Sequence, residues 1–176
     1  HKEYPRENGK RRAEFAGASL EEQTESLGKT QRLAKEKLGF ELKAFGSPFN
    51  VMDTTTEKAM ESFPEITAWF YGPRNPKSAR IRTLERHMDL EEPVMKPNSA
   101  QLIAAYNRSG KDLEYIVLQG HPNGWDGNSM AEFVKAVEFL KEKGCVFMTP
   151  SEFLQVKPRA KPAASAAPAE TPLPAP

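Results

Sequence analysis

Glu114-Tyr115-Ile116-Val117-Leu118-Gln119-Gly120-His121-Pro122-Asn123-Gly124-Trp125-Asp126 is the stretch on which the reading of this chain turns. Tyr115 to Leu118 is a continuous apolar run with two β-branched residues and one aromatic, the pattern of a fully buried strand. Gly120, His121 and Pro122 follow at once. Proline cannot extend a strand and biases the residue before it towards extended backbone. The run therefore predicts an imidazole delivered to the rim of a sheet.

Downstream, Ser129-Met130-Ala131-Glu132 has the form of a capping box, and Met130, Phe133, Val134, Val137 and Leu140 make an amphipathic stripe that Gly144 ends. Cys145 to Met148 reads as a strand. Thr149-Pro150-Ser151-Glu152 caps a last short helix, with proline in the first turn where its missing N–H costs nothing.

Upstream, Pro97-Asn98-Ser99 opens a helix through Asn107, and strands are expected at Leu42–Gly46, Ile66–Tyr71 and Ala79–Glu85. Thr54-Thr55-Thr56-Glu57 repeats the capping pattern for a short helix reaching Phe63. Ser19 with Glu22 starts a longer one, in which Leu20, Leu27, Ala34 and Leu38 share a face and Gly39 is the stop. Residues 2–18 are polar and without period, a long loop.

Helix and strand thus alternate from Ser19 to Leu154. That rhythm means α/β with a parallel sheet, each crossover using a helix. Four or five strands are visible, so a barrel requires others upstream of His1 while an open sheet does not. The domain spans 1–156. From Lys157 onwards a Pro/Ala-rich composition cannot bury enough apolar area to offset chain entropy, and a disordered tail or linker is expected over 157–176.

Composition narrows the class. The 176 residues are 38% apolar and 28% charged, with a net charge of +1. That balance favours no nucleic-acid or acidic partner, and no apolar run approaches the roughly 20 residues of a membrane span. Cys145 is the single cysteine, so the chain holds neither a disulfide framework nor a thiolate metal site, and a core thiol is expected. The opening His1-Lys2-Glu3-Tyr4 has no initiator Met and no signal peptide, as in a processed product or a fragment.

In a parallel α/β fold, sites gather at the carboxyl ends of strands. Those ends carry Gly46-Ser47-Pro48, Tyr71-Gly72, Gly120-His121-Pro122 and Thr149-Pro150. Only His121 among them suits proton transfer near neutral pH, and the alternative is a structural turn histidine. Trp125 and Asp126 form either a sugar-stacking edge or a cover over the end of the sheet. His87 sits in a polar stretch with no second ligand at metal spacing and reads as a surface residue. Nucleotide-binding loops, a GxSxG elbow and a His-Glu-x-x-His helix are all missing from the sequence.

The order His1, Glu14-Phe15-Ala16-Gly17, the helix Glu21 to Leu38, Phe45-Gly46-Ser47-Pro48-Phe49-Asn50, Leu118-Gln119-Gly120-His121-Pro122 and Phe139 to Pro150 resembles the later part of polysaccharide deacetylases of the NodB-homology, carbohydrate esterase family 4-like group. The resemblance spans residues 1–156. It implies a partial, distorted (β/α) barrel and a metal-dependent hydrolase that removes N-acetyl groups from a polysaccharide or amino sugar. A divalent metal, usually zinc, is implied, with His1 as the second His of a His-x-x-x-His motif and the other ligands upstream. His121 matches the Leu-x-x-His motif, as the acid that protonates the leaving amine. Leu118 lines the acetyl pocket, and Pro48, Trp125 and Asp126 complete the substrate-binding set.

The chain departs from that pattern twice. Gly46 stands where an Arg normally orients the catalytic Asp, and Thr67-Ala68-Trp69-Phe70 lacks the Asp that tunes the catalytic His. Either other residues orient the catalytic groups, or activity is reduced. With two metal ligands missing, little or no activity is expected of this chain alone. The rival reading is a non-catalytic carbohydrate-binding module on a divergent deacetylase barrel; another metal-dependent hydrolase or lyase is a third. Family habit points to an extracytoplasmic location.

Overall fold

The computed structural model describes residues 15–156. Its frame is a three-stranded parallel sheet in the order β1 (Ala44–Gly46), β2 (Ala68–Phe70), β3 (Arg82–Leu84), with Phe45 opposite Trp69 and Trp69 opposite Thr83. The sheet is not closed. Its central strand is the driest, with Ala68 and Trp69 buried. The expected parallel α/β arrangement is therefore present in these strands.

Helix α1 (Leu20–Leu38) starts at the Ser19–Glu22 capping box and stops at Gly39, whose φ of 80° favours a residue without a Cβ. Its buried face differs from the expected one. Leu20 and Leu38 are exposed, while Gln23 and Gln31 are buried beside Leu27 and Ala34. Gln31 fits the interior because its amide both donates to the Leu42 carbonyl (2.9 Å) and accepts from the Leu42 amide (2.8 Å).

The β1–β2 crossover carries α2 (Thr54–Glu61), which is capped one residue earlier than expected, by Asp53. That carboxylate also accepts the Gly17 amide at 2.7 Å and so ties the start of the described chain to α2. The β2–β3 crossover is a polar connection without a helix, an exception to the rhythm of one helix per crossover. Gly72, Pro73 and Pro76 keep it irregular, and Arg80 at its end donates to the carbonyls of Met60, Phe63 and Ile66.

Beyond β3 come α3 (Ser99–Ser109), capped by Asn98, then α4 (Gly127–Glu142) and α5 (Pro150–Phe153), the last with the expected Thr149 capping box. The cap of α4 is Asp126, so Ser129 lies inside the helix. Glu132 is drawn away to the amide and hydroxyl of Ser99. On α4 only Ala136 and Leu140 are buried, and Met130 and Val134 face solvent.

Two expected strands form no ladder. Tyr115–Leu118 is half-buried rather than fully buried, and it lies against β3 through side chains. The Tyr115 hydroxyl accepts the Glu85 amide at 3.0 Å, and Glu114 pairs with Arg82 at 3.0 Å. Val146, Phe147 and Met148 are exposed, while Cys145 is half-buried against core side chains. One core packs Leu27, Met60, Ile66, Trp69 and Ile81; a second packs Met88, Leu90, Leu102, Tyr106 and Leu140. Among the described residues no helix is long and apolar enough to cross a membrane. The expected tail at 157–176 and the loop up to residue 14 lie outside the described residues.

Candidate functional site: a His–Glu pair at the carboxyl end of the sheet

The segment after Leu118 is held at two points. Gln119 Oε1 accepts from Asn50 Nδ2 (3.2 Å), in the turn after β1, and from Arg86 Nη1 (2.7 Å), just past β3. Two residues on, His121 is gripped by Glu91. The Glu91 Oε1 accepts the His121 amide at 2.6 Å and the Trp125 indole Nε1–H at 2.7 Å. Oε2 faces His121 Nδ1 at 2.6 Å and accepts the Met95 amide at 2.9 Å. Gly120 permits this closeness, because a Cβ there would stand 2.9 Å from the Trp125 ring.

Glu91 is positioned by its neighbours. Leu90 and Pro97 are buried, the Asn98 amide donates to the Leu90 carbonyl, and Glu91 forms a backbone bridge with Pro97. Its side chain is 4% exposed, against 35% for His121. Burial pushes the Glu91 carboxyl up. The hydrogen bonds from the His121 ring, the His121 and Met95 amides and the Trp125 indole outweigh it and hold the carboxyl at about 2.

An ionised, almost buried carboxylate opposite Nδ1 fixes the neutral imidazole with its proton on Nδ1. Nε2 is then the nitrogen left for proton exchange. Chemically, such an arrangement can serve a positioned general acid or base, and it equally anchors a turn histidine.

All four described non-glycine residues with left-handed backbone surround this region: Phe49 (φ 57°), Asn50 (56°), Tyr71 (57°) and Met95 (68°). Such conformations cost on the order of 1 kcal/mol or more each and concentrate at functional sites.

The residues singled out from sequence fall into distinct roles. Trp125 turns its indole N–H inward to Glu91 and packs its ring on Phe133, with centroids 5.1 Å apart. Asp126 caps α4 through the Ser129 amide at 2.7 Å, and that bond lowers its pKa. Leu118 is half-buried against the second core, and Pro48 opens the short 3-10 turn Pro48–Asn50. His87 is exposed and meets the Tyr115 ring edge-on. His1 lies outside the described residues. Among the described residues no three His, Cys, Asp or Glu side chains are grouped to hold a metal ion.

Glu91, Arg86 and Gln119 are the residues sequence reasoning missed. The only signal for Glu91 is a carboxylate in a proline-bounded loop, Leu90-Glu91-Glu92-Pro93, and Arg86 and Gln119 carry none. Compared with protein-family models, curated proteins and solved structures, the chain has no significant match.

Proposed function

We propose that the His121–Glu91 pair is the proton-transfer element of a hydrolase that removes N-acetyl groups from an amino sugar or polysaccharide. The observation that carries this reading is the ionised Glu91 carboxylate on Nδ1 of a half-exposed histidine beyond the sheet. Hydrolysis of an amide adds water to the carbonyl carbon and expels an amine. Amine expulsion needs a proton, because an amide anion is a very poor leaving group. In this reading protonated His121 gives that proton from Nε2 while Glu91 faces the charged ring. Glu91 then does the work of the Asp that the Trp69 segment lacks.

The described residues offer no site for the zinc that the family resemblance implies. In this reading His1 and donors outside the described residues would hold the metal, which would polarise the acetyl carbonyl. A partial, distorted (β/α) barrel, an N-acetylated glycan partner and an extracytoplasmic location belong to the same proposal. The binding-module reading leaves the Glu91–His121 pair without work, and one measurement separates the two.

That measurement is acetate release from a chitin oligosaccharide, with zinc supplied, by the longest form of the protein that contains this chain. His121→Ala is expected to lower the rate by at least ~100-fold, the usual scale for general acid–base catalysis, with zinc content unchanged. Retained activity, or loss of metal together with activity, would overturn the role given to His121.

A further inference from the structure

The carboxyl ends of β1, β2 and β3 open on a groove of about 360 Å³ lined by Asn50, Tyr71, Gly72, Arg74, Glu85 and Arg86. That volume is within the roughly 300–1,000 Å³ of small-molecule sites, more than a bare ion fills. Two guanidinium groups face one carboxylate in the lining, so the groove is net positive. Asn50 and Tyr71 hold left-handed backbone there, a strain that concentrates at ligand sites.

Arg86 is the fixed cation of the groove. Its Nη1 donates to Gln119 Oε1 at 2.7 Å, its Nε meets Asp89 Oδ1 at 3.3 Å, and its Cζ lies 5.6 Å from the centre of the Tyr71 ring. Held on three sides, it has little rotamer freedom left to lose to a ligand. Its Nη2 has no partner among the described residues. Asp89 offsets part of the charge, but it takes the Nε edge and is no part of the lining. Arg74 is the exposed cation. Its side chain is 82% exposed and meets Glu85 through Nε alone at 3.3 Å, a surface pair of small worth that leaves both Nη groups to a ligand.

Two neutral side chains of the lining add donors. The half-buried Tyr71 hydroxyl makes no hydrogen bond among the described residues, and burial pushes its pKa up, which keeps it protonated. The Asn50 side-chain amide spends one N–H on Gln119 and has a second. Against these stand the Asn50 carbonyl oxygen and the second oxygen of Glu85. A planar carboxylate is best met by one open guanidinium fork, and at Arg86 two of the three nitrogens are already engaged. A phosphoryl group carries three strong acceptor oxygens and takes single donors from several side chains. That is the set the turn after β1, the end of β2 and the segment after β3 bring together.

We infer that this groove binds the phosphoryl group of a small organic phosphate monoester, with Arg86 as its fixed anchor, Arg74 as a second cation, and Tyr71 and Asn50 as neutral donors. Nothing in this site requires the hydrolase reading, since its lining contains neither His121 nor Glu91.

The test is a two-dimensional NMR titration of the full chain with phenyl phosphate and, separately, with benzoate, phenol and inorganic phosphate. Phenyl phosphate is expected to shift the amides of Tyr71, Gly72 and Arg86 and the side-chain amide of Asn50, saturably and less readily as salt is raised. Arg86→Gln should weaken its binding about tenfold, the scale of one charged hydrogen bond. Arg74→Gln should weaken it about threefold, as for an exposed charge, and alters no buried contact. Glu85→Gln removes the carboxylate of the lining and should tighten binding about threefold by the same scale, a result that damage to the fold does not produce. No shifts with phenyl phosphate, equal affinity for benzoate or phenol, or unchanged or weakened binding in Glu85→Gln overturns the phosphoryl site. Inorganic phosphate binding as tightly as phenyl phosphate would make this a site for the free ion and overturn the ester.

Discussion

The Glu91 carboxylate takes both the backbone amide and the ring Nδ1 of His121, each at 2.6 Å. One carboxylate therefore sets the position of the residue and the rotation of its ring together. The Trp125 indole and the Met95 amide occupy its remaining lone pairs, so Glu91 has no capacity left for solvent. A histidine held only by its ring would pivot, and one held only by its backbone would sample rotamers.

Glu91→Gln tests that double grip. The amide NH2 would face groups that are themselves donors, leaving at least one buried N–H without an acceptor. Removing a partner from a buried, charge-assisted set of this kind costs roughly 3 kcal/mol. The expected result is a loss of that size in chemical denaturation. In 15N-detected NMR the Nδ1–H tautomer of His121 should give way to a mixture. An unchanged tautomer in a folded Glu91→Gln protein would mean that the backbone, not the carboxylate, orients the ring.

Acid sensitivity follows from the same carboxylate. Its folded pKa is depressed from the ordinary 4.5 to about 2. Its contribution to stability is fully present above the unfolded value and disappears as pH falls through the folded one. Stability from this group is therefore expected to decline from about pH 4.5 down to about pH 2. Glu132, also held at about 2, by Lys135 first and then Ser99, adds to the same slope. Denaturation midpoints collected across that window should show a shallower decline in Glu91→Gln than in the parent, and parallel curves would remove Glu91 as a source.

Arg80 carries an independent prediction. Its guanidinium serves three carbonyls around the end of α2, those of Met60, Phe63 and Ile66. Arg80→Ala strips their donor and is expected to destabilise the fold by about 2 kcal/mol, the scale of charged hydrogen bonds to partly buried acceptors. Arg80→Lys has one ammonium where three directions are needed and should recover less than half of that loss. Urea midpoints for the two variants decide it.

The sequence was legible where a local rule acts alone. Ser19 with Glu22, Thr149 with Glu152, Asn98 and Gly39 mark helix ends because caps are satisfied within a few residues. It was less legible where two caps compete. Asp53 and Asp126 win over Thr54 and Ser129 because each carboxylate reaches the free amides one turn in, and Glu132 is drawn off to Ser99. The strand pattern of Tyr115–Leu118 located the segment but not its bonding, since hydropathy cannot tell a ladder from side-chain anchoring through Tyr115 and Glu114. Of the candidate site, His121 was visible as an imidazole after an apolar run. Glu91, thirty residues earlier, was not, because its importance comes only from the tertiary closure of the Leu90–Pro97 loop.

Two glycines at the site separate rigid from yielding neighbours. A Cβ built on Gly72 would stand 2.6 Å from Trp69 Cγ and 2.7 Å from Cδ2, while one on Gly124 would stand 2.6 Å from Met95 Sδ. The first obstacle is a fully buried indole between β1 and β3, which cannot retreat without disturbing both neighbouring strands. The second is an exposed thioether with several rotatable bonds. Gly72→Ala is therefore expected to cost about 2–3 kcal/mol, as overpacking of a close-packed core does. Gly124→Ala should cost under about 1 kcal/mol, because Met95 can swing aside and the substitution narrows the unfolded ensemble. Thermal midpoints of the two variants give the comparison, with Trp69 fluorescence reporting the disturbance in the first. Equal costs would show that the Met95 turn, which already bears a φ of 68°, is as unyielding as the core beneath β2.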